Sequence, residues 1–373
     1  MGVEEEHLLV HPGSRAVAPA GTRVVARAAV LLGELVCGEF TEYQIEVKTP
    51  PCPGPAQLRQ DLIRARSVVA AAAQAEGLRL CASGTPVIGG TGPAEIGDHP
   101  RYRAGMEQYR TMLEDFVVCA FHTHVQVADR EAAALVGNHL RPWLPLLVAL
   151  SANSPFHGGR DTGYASWRAV VRGRFPCLGP PPYVESLEHY QQLATAMEES
   201  EAMLDATLPF WDIRPHPRLP TLEIRAMDVP PDADDTVALA ALVRALVVTA
   251  TALVLRGDPG PRTSGELLRA AYWRAARDGW PGAGVDALTG RILPTPVQAR
   301  RLVDHVRPAL EEHGDADTVM AFLRRLATRG TGAQQQRASA ARHRGLTGVV
   351  DDLVTLTDGA GPAAPVSLRQ EAR

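Results

Sequence analysis

The chain opens Gly2-Val3-Glu4-Glu5-Glu6-His7-Leu8-Leu9-Val10, three successive carboxylates that run directly into apolar residues. No other stretch limits the fold so strongly. Read as a β-strand over residues 3–10, its side chains alternate between two faces. Glu4 and Glu6 then share a face with Leu8, and Glu5 points the other way. Two carboxylates side by side on a pleated surface repel and raise each other's pKa. A divalent cation between them removes the repulsion. The plainer alternative is a solvated acidic terminus, because charge runs are commonly exposed faces.

Composition excludes several classes. A net charge of -4 and 5% aromatic residues give no basic patch and few stacking platforms, so no nucleic-acid partner is expected. The five cysteines (Cys37, Cys52, Cys81, Cys119, Cys177) are odd in number and lack a C-x-x-C pair, which suits a reducing, cytoplasmic setting. The acidic start is unlike a secretory leader. The most apolar run, residues 237–255, carries Arg244 and reads as a buried helix rather than a membrane span. We expect one catalytic domain over residues 1–358, helical in its second half, and a disordered tail over 359–373.

Residues 24–35 suit a strand or a short helix. In residues 42–47, Glu42, Gln44 and Glu46 alternate with Tyr43, Ile45 and Val47, the pattern of a half-buried strand. Glu39 lies an odd number of residues from Glu46, so a turn or bulge near Gly38 must re-aim it if both serve one site. Residues 55–75 read as a helix, with a proline in the first turn and Gly77 beyond the end. The glycine-rich loop 83–93 is no phosphate-binding Walker motif, since no Gly-Lys-Ser/Thr follows.

Residues 116–127 read as a strand with His122, His124 and Gln126 on one face. A lone histidine is more often a satisfied core residue, but two at i, i+2 favour a ligand or substrate contact. Residues 151–176 form the densest polar stretch, with Arg160, Asp161, Arg168, Arg172 and Arg174 among glycines and hydroxyls. Guanidinium groups match phosphate and carboxylate oxygens, although solvated charges are the simpler reading. Thr221, Glu223 and Arg225 alternate with Leu222, Ile224 and Ala226 on a further strand. From Asp234 onward the periodicity is helical, with glycines at the breaks.

Six strand-borne groups stand out: Glu4, Glu6, Glu39, Glu46, His122 and Glu223. Five carboxylates and one imidazole suit Mg²⁺ or Mn²⁺ better than a soft metal. Clustered carboxylates holding such ions beside arginines are what phosphoryl transfer from ATP requires. A competing reading is a metal-dependent amide hydrolase in which His122 and His124 hold Zn²⁺. It is weakened because the other ten histidines are scattered in loops and helices.

The segments GVEEEHLLV, GEFTEYQIEVKTP, FHTHVQV, RPWLPLLVALSANSPFHGGRDTGYASWR and LPTLEIRAMDV resemble, in order, those of YbdK-type carboxylate-amine ligases of the glutamate–cysteine ligase family. The resemblance implies an α+β fold, a curved antiparallel β-sheet funnel like the glutamine synthetase catalytic domain with helices packed outside. It implies ATP-dependent activation of a carboxylate as an acyl phosphate, then attack by an amine. The γ-carboxylate of glutamate is the candidate acid. Carried over, Glu4, Glu6, Glu39, Glu46, His122 and Glu223 become metal ligands. Arg168 and Arg225 contact the phosphoryl group, Arg160 joins them at the nucleotide, and a homodimer is suggested. His7, Thr123, Gln126 and His157 depart from the family pattern, from which we expect an altered substrate pocket.

Overall fold

The computed structural model describes residues 1–90 and 93–359. The expected tail therefore lies outside the described residues apart from Gly359. The strands are β1 (Gly2–Val10), β2 (Val36–Gly38), β3 (Gln44–Lys48), β4 (Arg79–Cys81), β5 (Ala120–Gln126), β6 (Phe156–His157), β7 (Arg160–Asp161), β8 (Ile213–Pro215), β9 (Thr221–Asp228), β10 (Ala283–Val285) and β11 (Ile292–Pro294). The helices of the first half are α1 (Gly21–Leu32), α2 (Pro55–Ala75), α3 (Pro100–Tyr109), α4 (Arg130–Leu140), α5 (Leu144–Ser151), α6 (Trp167–Arg172) and α7 (Leu187–Glu199). Those of the second are α8 (Ala233–Val254), α9 (Gly265–Asp278), α10 (Thr295–Glu312), α11 (Ala316–Arg329), α12 (Gly332–His343) and α13 (Leu346–Thr357).

One seven-stranded sheet, in the order β2-β3-β1-β5-β9-β8 with β4 also beside β1, organises the molecule. Every pairing is antiparallel and the sheet is open, as the α+β expectation requires. Central β1 pairs Glu4 with Lys48 and Glu6 with Glu46 on one side, and Glu4 with His122 on the other. The register of β5 with β9 shifts between Phe121 and Thr123, and beyond it His124 lies opposite Glu223. A bulge of this kind re-aims side chains next to it, here around His122.

The two faces of the sheet differ. Val3, Phe121 and Ile224 pack into the main core with Leu58 and Leu62 of α2 and the apolar length of α8. Leu9, Ile45 and Val47 meet α1 and α2 in a second cluster. Helix α8 is long and apolar enough to cross a membrane by composition, yet 67% of its most apolar stretch is buried in the core. α2 begins with Pro55 in its first turn, and Gly77 adopts φ +74° just past its end. Leu58, Leu62 and Val69 all face inward, as the spacing predicted.

The strand expectation at residues 42–47 needs correction, residues 24–35 take the helical of the two alternatives, and two elements were not foreseen. Residues 24–35 are mostly helix, because Val24, Ala28 and Leu32 recur at helical spacing and are buried. The strand expected from Glu42 starts at Gln44, since Glu42 and Tyr43 form the turn before it. Its residues Gln44 to Val47 are buried on both faces, not half-buried. Helix α13 and the β10–β11 hairpin were not foreseen. Leu346 to Thr357 docks Val349, Val350 and Leu353 beneath Leu8 and Cys81, a contact that only the tertiary fold creates.

Candidate active site

The face of β1 away from the main core gathers the predicted acids. Glu4, His122 and Glu223 bring ligand atoms within 4.8 Å of one another, and so do Glu6, Glu46 and His122. Nδ1 of His122 is 3.2 Å from Glu4 Oε2 and 3.9 Å from Glu223 Oε1, while its Nε2 lies 3.6 Å from Glu6 Oε1. His122 therefore stands between the two groups. Glu39 sits in the turn between β2 and β3 and lines a cavity together with Glu6. That turn re-aims it as the odd spacing demanded. His124 is adjacent, with Nε2 3.5 Å from Glu4 Oε1 and Nδ1 3.3 Å from Thr221 Oγ1.

The electrostatics of the set are unequal. Despite burial, hydrogen bonds from His122 and His124 hold Glu4 well below the usual carboxylate range. Burial favours a neutral Glu223, but the guanidinium groups of Arg214 and Arg225 prevail and keep it ionised. Glu6 is pushed up to about 7, by burial first, with the charge of Glu46 adding to it. Glu39 and Glu46 are raised as well, by burial and then by neighbouring carboxylates. Among the described residues neither Glu6 nor Glu39 forms an ion pair with a lysine or arginine. Burial, then Arg225, lowers His122 to about 3, so its ring is neutral at pH 7. When Nδ1–H donates to Glu4, the lone pair on Nε2 is left without a donor, 3.6 Å from Glu6. A lone pair facing a carboxylate oxygen is the arrangement of two ligands for one cation.

The arginines divide. Arg225 donates to Glu223 and approaches His122 Nδ1 at 3.4 Å. Arg168 is fully buried, and its terminal nitrogens donate to the carbonyls of Ala226 and Arg225 at 3.1 Å each. Much of it is thus spent on fixing β9. Arg160, expected at the nucleotide, is exposed on the β6–β7 hairpin and belongs to neither acid group nor to the cavity beside them. The hydroxyl-rich stretch before α6 is likewise largely structural. Asp228 accepts from Ser154 Oγ at 2.7 Å, Ser166 Oγ at 2.9 Å and the Asn153 amide at 2.9 Å.

Three neighbours of the acids escaped the sequence reading. Arg214 grips Glu223 with two bonds, 2.7 and 3.1 Å. Lys48 places Nζ 2.9 Å from Glu46 and 3.7 Å from Glu4. Cys37 Sγ lies 3.2 Å from Glu46 Oε1. Lys48 had a usable signal, because it follows Glu46 by two residues on one strand face. Arg214 had none, since its pairing with Glu223 needs the β8–β9 register.

The residues named for an altered substrate pocket do not border the acids. His7 and Thr123 are buried on the opposite, helix-covered side of the sheet, by the parity that puts Glu5 there, and Gln126 is exposed. His157 lies on the β6–β7 hairpin, outside the cavity beside the acids.

A family model, glutamate-cysteine ligase family 2, matches residues 1–355. The chain belongs to that family. A Saccharopolyspora erythraea protein provisionally named glutamate–cysteine ligase 2-1 is 43% identical over 359 residues, 96% of this chain and 94% of that protein. A Salinispora arenicola protein provisionally named glutamate–cysteine ligase 2 is 43% identical over 90% of this chain and 89% of its own length. The fold matches the crystal structure of Francisella tularensis glutamate–cysteine ligase in complex with AMP, with TM-score 0.66, 13% identity, and 98% and 89% of the two chains covered. It also matches a bifunctional glutathione synthetase from Pasteurella multocida, with TM-score 0.68 and 14% identity, covering 96% of this chain and 51% of that one. As a member of this ligase family the chain is an ATP-dependent carbon–nitrogen ligase.

Proposed function

We propose that this ligase joins a carboxylic acid to an amine through an acyl phosphate, with Mg²⁺ or Mn²⁺ held by Glu4, Glu6, Glu39, Glu46, His122 and Glu223. One observation carries the reading: buried and partly buried carboxylates from β1, β3, β9 and the β2–β3 turn lie together, and among the described residues Glu6 and Glu39 have no lysine or arginine ion-pair partner. An acid set of that kind is stable in its ionised form only with added positive charge. The donor set suits the group, being oxygen-rich with a single imidazole lone pair. Bound there, the ions would neutralise charge on the phosphate oxygens of ATP.

The reaction balances as follows. A carboxylate oxygen attacks the γ-phosphorus, the bond to the β-phosphate oxygen breaks, and ADP leaves. The amine nitrogen then attacks the acyl carbon and loses a proton, and inorganic phosphate leaves with its oxygen. Arg225, beside Glu223, would donate to oxygens that gain charge in both steps. Arg214 positions Glu223 from behind, and Arg168 positions β9. No nucleophilic side chain is needed. The relatives' names make the γ-carboxylate of glutamate the first acid to assay. We expect Glu223→Gln to lower ADP formation by about a thousandfold, the scale of losing a key electrostatic group, with the fold intact by circular dichroism. Undiminished turnover in that variant would refute the metal assignment. The amide-hydrolase reading gains nothing from the geometry, as each donor group contains only His122 among histidines.

A further inference from the structure

Among the described residues five arginines are buried: Arg66, Arg141, Arg168, Arg172 and Arg244. Four of them have a carboxylate partner. Arg66 meets Glu5 at 2.6 Å, Arg168 meets Asp228 at 3.7 Å, Arg172 meets Asp212 at 2.5 Å and Arg244 meets Asp315 at 2.6 Å. Arg141 is 3% exposed, and among the described residues its side chain makes one hydrogen bond, from Nε to the carbonyl of Pro181 at 2.8 Å. Nη1 is sealed without an acceptor, whereas Nη2, equally unpaired, keeps accessible surface. The ionisable neighbours of this guanidinium, Tyr272 and Tyr183, are phenols rather than carboxylates. Burial raises Tyr272 well above the usual phenol range. A buried cation without a counter-charge is costly, and an anion that reaches it offsets the cost.

Arg141 stands in the wall of a cavity of about 910 Å³, the size of a small-molecule site. The cavity lies between α6, the 173–182 loop, α7 and α9. Its other guanidinium groups are spent. Arg172 is held by Asp212, and Arg174 and Arg269 at the exposed rim pair with Asp115 and Glu266 at 3.1 and 3.2 Å. The remaining wall is largely apolar, with Leu193, Met197, Trp211 and Trp273 prominent. Arg172, Phe175 and Leu178 also border the smaller cavity beside the acids, so they form the partition between the two. None of the six proposed metal ligands borders the larger cavity.

We propose that this cavity is a second ligand site, apart from the acid cluster, for a small organic anion. A carboxylate or phosphate head lies against Arg141, and an apolar body rests on the tryptophan-lined wall. A guanidinium suits either head group, because its planar donors match the oxygens of both. The occupant is not the reacting acid, since the partition keeps it from the metal ligands.

The test measures binding to the full chain without metal or nucleotide, so its outcome stands apart from the ligase reading. Benzoate, phenyl phosphate, acetate and inorganic phosphate are titrated by calorimetry. At least one ring anion should bind about tenfold or more tighter than acetate and inorganic phosphate, the span that apolar contacts provide. The tighter of the two ring anions identifies the head group. Arg141→Met should weaken that binding by about tenfold or more, the scale of a charge-assisted hydrogen bond, and Arg141→Lys should recover part of it. Ala196 borders the cavity from the exposed side of α7, so Ala196→Trp fills the space without entering the core. It should weaken ring-anion binding to a similar degree, with Tm and ADP formation unchanged, and it decides alone if Arg141→Met does not fold. No binding of any probe, or ring binding that neither Arg141→Met nor Ala196→Trp moves, would overturn the proposal and leave Arg141 a brace for the proline loop. Loss of ADP formation in Ala196→Trp would make the cavity part of the reacting site and overturn its separation from the acids.

Discussion

The two faces of β1 treat neighbouring carboxylates in opposite ways. On the core side, Glu5 is fully buried and fully satisfied. Arg66 donates to it twice, at 2.6 and 2.8 Å, and Thr236 Oγ1 donates at 2.6 Å. Burial opposes its charge, but Arg66 holds its pKa below the ordinary carboxylate range. One residue along on either side, Glu4 meets His122, His124 and Lys48, while Glu6 faces Glu46 and rises to about 7. The difference is one of use. A carboxylate with a permanent counter-charge braces a fold, whereas one kept short of counter-charge can receive a cation. On the proposed reading, similar chemistry on adjacent residues separates structure from function within a single strand.

Substitutions on the two faces should break this comparison with opposite signs. The largest effect is expected for Arg66→Met. It strands Glu5 in the core, and removing one partner of a buried pair costs about 3–5 kcal/mol, read as a fall in denaturant midpoint. Glu6→Gln should do the reverse. A carboxyl raised from 4.5 to about 7 by folding contributes stability below pH 4.5 that is lost as pH rises through 7. The metal-free variant should therefore gain about 3 kcal/mol at pH 8, where one pKa unit is worth about 1.4 kcal/mol, while losing metal-dependent turnover. Metal should act in the same window: the Tm gain from Mg²⁺ or Mn²⁺ should be larger at pH 8 than at pH 5, where protons occupy the acids.

His7 provides a pH signature from the core side. Burial holds it down to about 4, with Glu5 opposing, so the folded ring stays neutral while the unfolded one charges below 6.5. Stability should fall between pH 6.5 and 4 by about 3 kcal/mol on its account. His7→Phe should flatten that slope in urea titrations at each pH. The smallest effect is expected for Lys48→Met. Its ammonium lies between Glu4 and Glu46, a resident cation that competes with added metal. Removing this partly exposed charge should tighten Mn²⁺ binding by about two- to fivefold by calorimetry, the modest scale of a screened pair.

How much of this was legible in the sequence depends on the range of each interaction. Strand parity alone placed Glu4 and Glu6 together with Glu5 opposite, and the odd offset of Glu39 correctly demanded a turn. The same parity places His7 and Thr123 away from the acids. Arg66, Arg214 and Asp228 could not be read this way. Their partners lie on other elements, and only register and helix docking bring them within bonding distance. Arg168 has a structural role that the sequence did not show. A guanidinium in a glycine- and hydroxyl-rich stretch resembles a phosphate contact, but its terminal nitrogens were needed by the carbonyls of β9.

The most direct test of the central claim is an anomalous diffraction experiment on crystals grown with Mn²⁺ and a non-hydrolysable ATP analogue. The account predicts manganese peaks within bonding distance of Glu4, His122 and Glu223 and of Glu6 and Glu46, with the terminal phosphate between them and Arg225. Manganese absent from both groups while the analogue is bound elsewhere on the chain would contradict it.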